Sequence, residues 1–141
     1  MALMDYIYDD GGRSLYFKGK AGVRDCVCRS ISIASGKDYK EIYNLLSKTM
    51  GETPRGGVFT TKAKFKRMMA SLGFTWVATS GIGWTEAVHL AWGELPKGRL
   101  VCSMAGHYTA VVDNVVRDTL DPRVNPYGQM RKVYGYWKYE N

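Results

Sequence analysis

The apolar residues of this chain change their spacing once along its length, and that change limits what it can fold into. Between residues 26 and 72 they recur three and four positions apart, as the buried stripe of a helix does. From residue 99 onward they gather in short runs rich in Val, Tyr and Trp, bounded by turn formers, as strands do. Helices come first and strands later. That order predicts an α+β fold in which N-terminal helices pack on a C-terminal antiparallel β-sheet, not an alternating chain with a parallel sheet.

The element boundaries follow from capping residues. A first helix is expected over residues 26–35, with Asp25 as its N-cap, Val27, Ile31 and Ala34 on one face and Gly36 as its stop. Asp38 caps a second, in which Tyr39, Ile42, Tyr43 and Leu46 form the stripe and which ends at Met50-Gly51. After a loop over residues 52–57, Thr60 or Thr61 caps a third helix that carries Phe65, Met68, Met69 and Leu72 and closes at Gly73. Residues 74–79 alternate as a short strand, and Ser80-Gly81-Ile82-Gly83 turns. Thr85 is then expected to cap a short helix with Val88, Ala91, Trp92 and Leu95 in register, broken by Pro96-Lys97-Gly98. Strands are expected over residues 99–104, 107–112, 115–120 and 132–139. Asp113-Asn114 forms a two-residue hairpin turn between the middle two, because both residue types tolerate positive φ.

A chain of 141 residues, 45% apolar, can bury one core, so the expectation is a single domain, residues 1–141, with 1–19 as an N-terminal segment and 20–139 as the core. No apolar run is long enough to span a bilayer, and residues 1–10 lack the basic and apolar regions of a secretion signal. A cytoplasmic protein with no membrane partner is expected. Three cysteines, an odd number in such a chain, argue for free thiols, with Cys102 a small buried hydrophobe in a strand. The net charge of +7 raises the question of a nucleic-acid partner, and Lys62, Lys64, Lys66 and Arg67 form a local basic run. Those residues fall opposite Phe65, Met68, Met69 and Leu72 on the third helix, as a solvated face would, and no nucleic-acid-binding motif accompanies them. Trp76, Trp84 and Trp92 flank a Gly-rich stretch and read as ordinary core and surface aromatics.

Cys26 stands where the unpaired N–H groups and dipole of a helix stabilise a thiolate and can donate to a developing oxyanion. Cys28 lies about 200° around the helix, on the side of the apolar stripe, so only one of the two can face a cleft. His107 opens a strand and is the candidate base; His89, the other histidine, falls within the expected short helix with no acid placed to orient it. With Asp113-Asn114 as the turn, Asp118 lies opposite Thr109 and shares the face of His107 as its diagonal neighbour, whereas Asp121 falls on the other face. Asp118 is the favoured orienter and Asp121 the alternative. Cys26, His107 and Asp118 then form a nucleophile, its base and an orienting carboxylate. Arg29, one turn along from Cys26, either raises thiolate character or pairs with a substrate carboxylate, or forms a salt bridge with Asp25 or Asp121.

The motifs Asp25-Cys26 with Arg29, Gly36-Lys37-Asp38-Tyr39 through Tyr43, Gly106-His107-Tyr108 and Asp118-Thr119-Leu120-Asp121 resemble those of small papain-like cysteine peptidase-related proteins of bacteriophages and bacteria, akin to the bacteriocin-leader peptidases. The resemblance spans residues 20–139. It implies a papain-like fold and a cysteine-dependent hydrolase acting through an acyl-enzyme on a peptide or protein substrate, with no cofactor. Deamidases, acyl transferases and thioesterases use the same residue set. Papain-like enzymes also place a Gln several residues before the nucleophile for the oxyanion hole; residues 18–24 contain no Gln or Asn, leaving Lys20 and Arg24 as donors there. That departure keeps a second class open, a catalytically silent papain-like fold acting as a binding or inhibitory module, such as a phage protein that occupies a host factor. A metal site built from Cys26, Cys28, Cys102 and His107 is a third, and would require the Cys-x-Cys pair to leave its helix.

Overall fold

The computed structural model describes residues 2–18, 23–80 and 86–140. Three helices, α1 (Cys26–Ser35), α2 (Tyr39–Met50) and α3 (Ala63–Leu72), cover one face of a six-stranded sheet. Its strands are β1 (Asp5–Tyr8), β2 (Phe74–Ala78), β4 (Arg99–Met104), β5 (His107–Val112), β6 (Val115–Asp118) and β8 (Gly135–Tyr139), ordered β1-β6-β5-β4-β8-β2. A separate two-stranded sheet pairs β3 (Val88–His89) with β7 (Lys132–Val133). The chain is α+β, and its sheet is mixed: five strands run antiparallel, and β1 adds to β6 in parallel.

The helices end where glycine follows them, at Gly36, Gly51 and Gly73. Asp38 caps α2 by accepting from the Lys40 backbone N–H at 3.1 Å. The third helix begins at Ala63 with Lys62 in the cap position, because Thr60 and Thr61 are taken up in a turn closed by Lys62 N–H to Phe59 C=O. Its charged side is solvated, with Lys62, Lys66 and Arg67 exposed.

Alternation along the strands divides the core in two. Val101, Tyr108 and Trp137 face the helices and pack with Val27, Ile31, Ile42, Leu46, Phe65 and Met69. Leu100, Cys102, Val111, Val116 and Tyr136 face the other way, where Met4, Leu90, Leu95 and Val133 cover them. Where Trp76 lies across Gly135, a Cβ on that glycine would stand 2.3 Å from the ring, so only glycine fits there.

Three expectations are corrected. The N-terminal segment is not outside the core: β1 is a sheet strand and Met4 is fully buried, because β6 offers a backbone edge that a four-residue strand can pair with. The short helix expected through Val88, Ala91, Trp92 and Leu95 does not form. Val88 and His89 pair with β7, Leu3 and Ala91 form a bridge, and Trp92 N–H donates to Ala2 C=O, so pairing with distant backbone overrides a weak local helical pattern. Thr85, Trp84 and the turn at residues 81–83 lie outside the described residues. The single strand expected over residues 132–139 divides at Tyr134, whose N–H donates to Ser103 C=O and whose C=O accepts from Thr79 N–H, placing β7 and β8 in different sheets. Among the described residues no helix is long and apolar enough to cross a membrane.

Candidate active site

The Asp113-Asn114 turn has φ of 48° and 67°, and it pairs Val112 with Val115, Val111 with Val116 and Ala110 with Arg117. This register puts His107 at the start of β5 and Asp118 at the end of β6 on the same face of the hairpin. His107 Nε2 and Asp118 Oδ2 are 2.6 Å apart. α1 packs on this hairpin through Cys26 and Val27, and its first residue, Cys26, lines the same cleft as His107 and Tyr108. With Nε2 engaged by Asp118, Nδ1 is the ring nitrogen left for the sulfur. All three groups line one open cleft of about 830 Å³, His107 and Asp118 joined by their hydrogen bond.

Each group is tuned by the next. Burial alone would push the Cys26 thiol up, but the hydrogen bonds from His107 and the Tyr108 N–H, with the charges of His107 and Arg29, outweigh it and hold the thiol below its ordinary value. Burial likewise works against charge on His107, yet its hydrogen bonds to Asp118 and Cys26 raise it to about 9. Asp118, 2% exposed, is disfavoured as a carboxylate by burial and is nonetheless held low by His107 and Arg29. A lowered thiol beside a raised imidazole favours transfer of the Cys26 proton to His107, toward a thiolate–imidazolium pair. Cys28 is fully buried, and burial together with the Asp25 charge pushes its thiol up to about 12. Cys102 lies on the opposite side of the sheet, so the donors of the expected metal alternative do not converge, and no such cluster occurs among the described residues.

Asp25 does not cap α1 with its side chain. Fully buried, it accepts instead from Arg13 Nη1 at 3.0 Å, from Arg29 Nη1 and from the Tyr39 hydroxyl at 2.7 Å. The side chain is thereby turned away from the first-turn N–H groups, which remain available at the cleft to a developing negative charge. Arg29 carries the arrangement further. Its Nη2 stands 3.2 Å from Asp118 Oδ1, so one guanidinium joins the carboxylate that precedes Cys26 to the carboxylate bonded to His107.

The remaining candidates fall elsewhere. Asp121 turns away and pairs with Arg123 at 2.8 Å, so the expected alternatives of Asp121 as orienter and as the partner of Arg29 are set aside. His89 does have an acid beside it, since the turn that replaces the expected helix brings Glu94 Oε1 within 3.0 Å of Nδ1. Trp76 and Trp92 do not line the cleft. Among the described residues no Asn or Gln side chain lines it either; Arg24 does, while Lys20 lies outside the described residues. Sequence reasoning missed Arg13 and Tyr39 as partners of Asp25. The signal was Gly11-Gly12, which lets the N-terminal segment approach α1: a Cβ at Gly11 would stand 3.0 Å from the Arg29 carbonyl oxygen.

Compared with protein-family models, with curated proteins and with solved structures, the chain matches none.

Proposed function

We propose that this chain is a cysteine-dependent hydrolase of papain-like architecture, a peptidase acting through an acyl-enzyme. The observation that carries the reading is the convergence of Cys26, His107 and Asp118 on one cleft, with His107 hydrogen-bonded to Asp118 at 2.6 Å and Cys26 at a helix N-terminus. The Cys26 thiolate attacks the substrate carbonyl carbon, forming a C–S bond while the carbonyl electrons move onto oxygen beside the first-turn N–H groups of α1. When the tetrahedral centre collapses, the C–N bond breaks and the leaving amine takes the proton from His107. Water then gives a proton to His107 as its oxygen adds to the thioester carbonyl, and loss of the thiolate releases the acid and restores the pair. Asp118 keeps the imidazole in the tautomer and orientation both steps need.

Iodoacetamide labelling tests this. Cys26 is expected to react well below pH 8, ahead of Cys28 and Cys102, and to lose that reactivity in His107→Ala. Equal, slow labelling of all three thiols would remove the reading.

The second reading is a silent papain-like module that binds a partner, and the absence of an Asn or Gln side chain among the described lining residues is what favours it. A peptide carrying a thiol-directed electrophile separates the two: turnover-competent geometry gives a covalent adduct at Cys26, whereas a silent module binds without one.

A further inference from the structure

Charge is distributed unevenly along this chain. Residues 18–67 hold twelve lysines and arginines against four aspartates and glutamates, while the rest of the chain holds eight against nine. The fold brings part of that excess to the cleft and its neighbourhood. Arg24 lines the cleft, and the Arg24 backbone N–H donates to the Arg55 carbonyl at 2.8 Å. Gly56, Gly57, Val58 and Thr60 line it as well, and Arg55 and Lys62 flank that stretch in the chain without lining the cleft themselves. Arg24, Arg55 and Lys62 are all exposed, and among the described residues none of them takes part in an ion pair.

The rest of the lining includes Tyr8, residues 103, 104 and 106–108, and residues 118–120. The acids on and near it are already engaged: Asp9 by Arg117, Asp118 by His107 and Arg29, Asp121 by Arg123, and Asp10 by the backbone N–H groups of Gly12 and Ser14. Arg131, which forms no ion pair among the described residues, adds a cation there too, its Nη2 donating to the Ala105 carbonyl at 3.0 Å, so the uncompensated charge around the cleft is positive. Such a field attracts an acidic chain.

We infer that the substrate is a polypeptide with acidic side chains, which lie against Arg24, Arg55 and Lys62 while its acyl carbonyl faces Cys26. The inference rests on the proposed role of Cys26. A polypeptide is favoured over a nucleic acid because the chemistry in the cleft acts on an acyl carbon.

The test is fluorescence anisotropy with Cys26→Ala protein and three labelled probes: a Glu-rich peptide, its Gln analogue and an oligothymidylate of equal length. The Glu peptide is expected to bind about tenfold tighter than the Gln analogue, with the advantage shrinking as salt is raised and lost in the Arg55→Gln, Lys62→Gln double variant. Equal binding of the two peptides overturns the inference, as does an advantage that survives in the double variant. Tighter binding of the oligothymidylate than of the Glu peptide would assign these cations to nucleic acid instead. Salt dependence in the chain with its cations intact gives a readout that does not rely on the double variant folding. Iodoacetamide, being neutral, reports on Cys26 separately: normal labelling with no Glu preference removes this inference alone, while absent labelling removes the hydrolase reading.

Discussion

Arg29 holds Asp118 from the side that His107 leaves open, with Nη2 3.2 Å from Oδ1 while His107 Nε2 stands 2.6 Å from Oδ2. The same guanidinium pairs with Asp25, so a single buried cation serves two buried carboxylates. Arg29→Met would leave both short of a partner and is expected to lower stability by about 3–5 kcal/mol in urea unfolding, the range for breaking a buried pair from one side. Arg29→Lys keeps the charge but cannot reach both carboxylates with a planar fork, so it should recover only part of that loss. Removing the cation also raises the thiol, because the Arg29 charge is among the causes that hold Cys26 low. A pH titration of Cys26 labelling in Arg29→Lys separates this electrostatic effect from mere loss of fold.

The pH dependence has two limbs of opposite sign. His107 rises from an ordinary value of 6.5 to about 9, so its contribution to stability is fully present below pH 6.5 and is lost as the pH rises through about 9. Cys26 is held below its ordinary value, so its contribution is present above that ordinary value and is lost as the pH falls through the lowered one. The thiolate–imidazolium pair is populated between the lowered thiol value and about 9. Peptide hydrolysis is expected to follow a bell whose alkaline limb falls near pH 9, while iodoacetamide labelling, which needs only the thiolate, stays high above it. An alkaline limb near pH 6.5 would show that Asp118 does not hold the imidazole.

Much of this arrangement is legible in the chain, and the parts that are not share a cause. The three helices announce themselves through apolar stripes and the glycines that end them, with Asp38 alone of the expected N-caps capping through its side chain, and the Asp113-Asn114 turn fixes which strand residues share a face; both are local signals. His107 and Asp118 are therefore selected by counting from a turn. The strand at Asp5–Tyr8 and the non-helical segment around Val88 are different, since each takes its conformation from backbone partners far away in sequence. Arg13 belongs with them: its buried contact with Asp25 depends on the N-terminal segment returning over α1. Arg29 was legible as a partner of Asp25 from its spacing four residues on, but its second carboxylate lies 89 positions away in the chain.

Asp118 and Asp121 differ enough in setting for substitution to tell them apart. Asp118→Asn removes the charge that raises His107, returning the imidazole toward its ordinary range and the thiol with it. Labelling of Cys26 at pH 6.5 is expected to slow by about tenfold or more, one pK unit of thiolate fraction. Asp121→Asn breaks only an exposed pair with Arg123 and should change stability by less than about 0.5 kcal/mol, with labelling unaltered. A larger effect from Asp121→Asn than from Asp118→Asn would reassign the orienter.

Gly11 offers a test of how the N-terminal segment supports the site without touching the reacting groups. Its φ is +68°, and an added Cβ would stand 3.0 Å from the Arg29 carbonyl oxygen and 3.2 Å from the Arg29 Cα. Gly51 has a similar φ of +77° and nothing within 4 Å, so Gly51→Ala measures the backbone strain alone, about 1–2 kcal/mol. Gly11→Ala adds to that strain a backbone contact that can be relieved only by moving α1 or the segment carrying Arg13. It is expected to lose more stability than Gly51→Ala in thermal or urea unfolding, and also to slow Cys26 labelling, which Gly51→Ala should leave unchanged. Equal losses in the two variants, with labelling intact in both, would mean that the N-terminal segment can shift without disturbing the Asp25–Arg29–Asp118 chain.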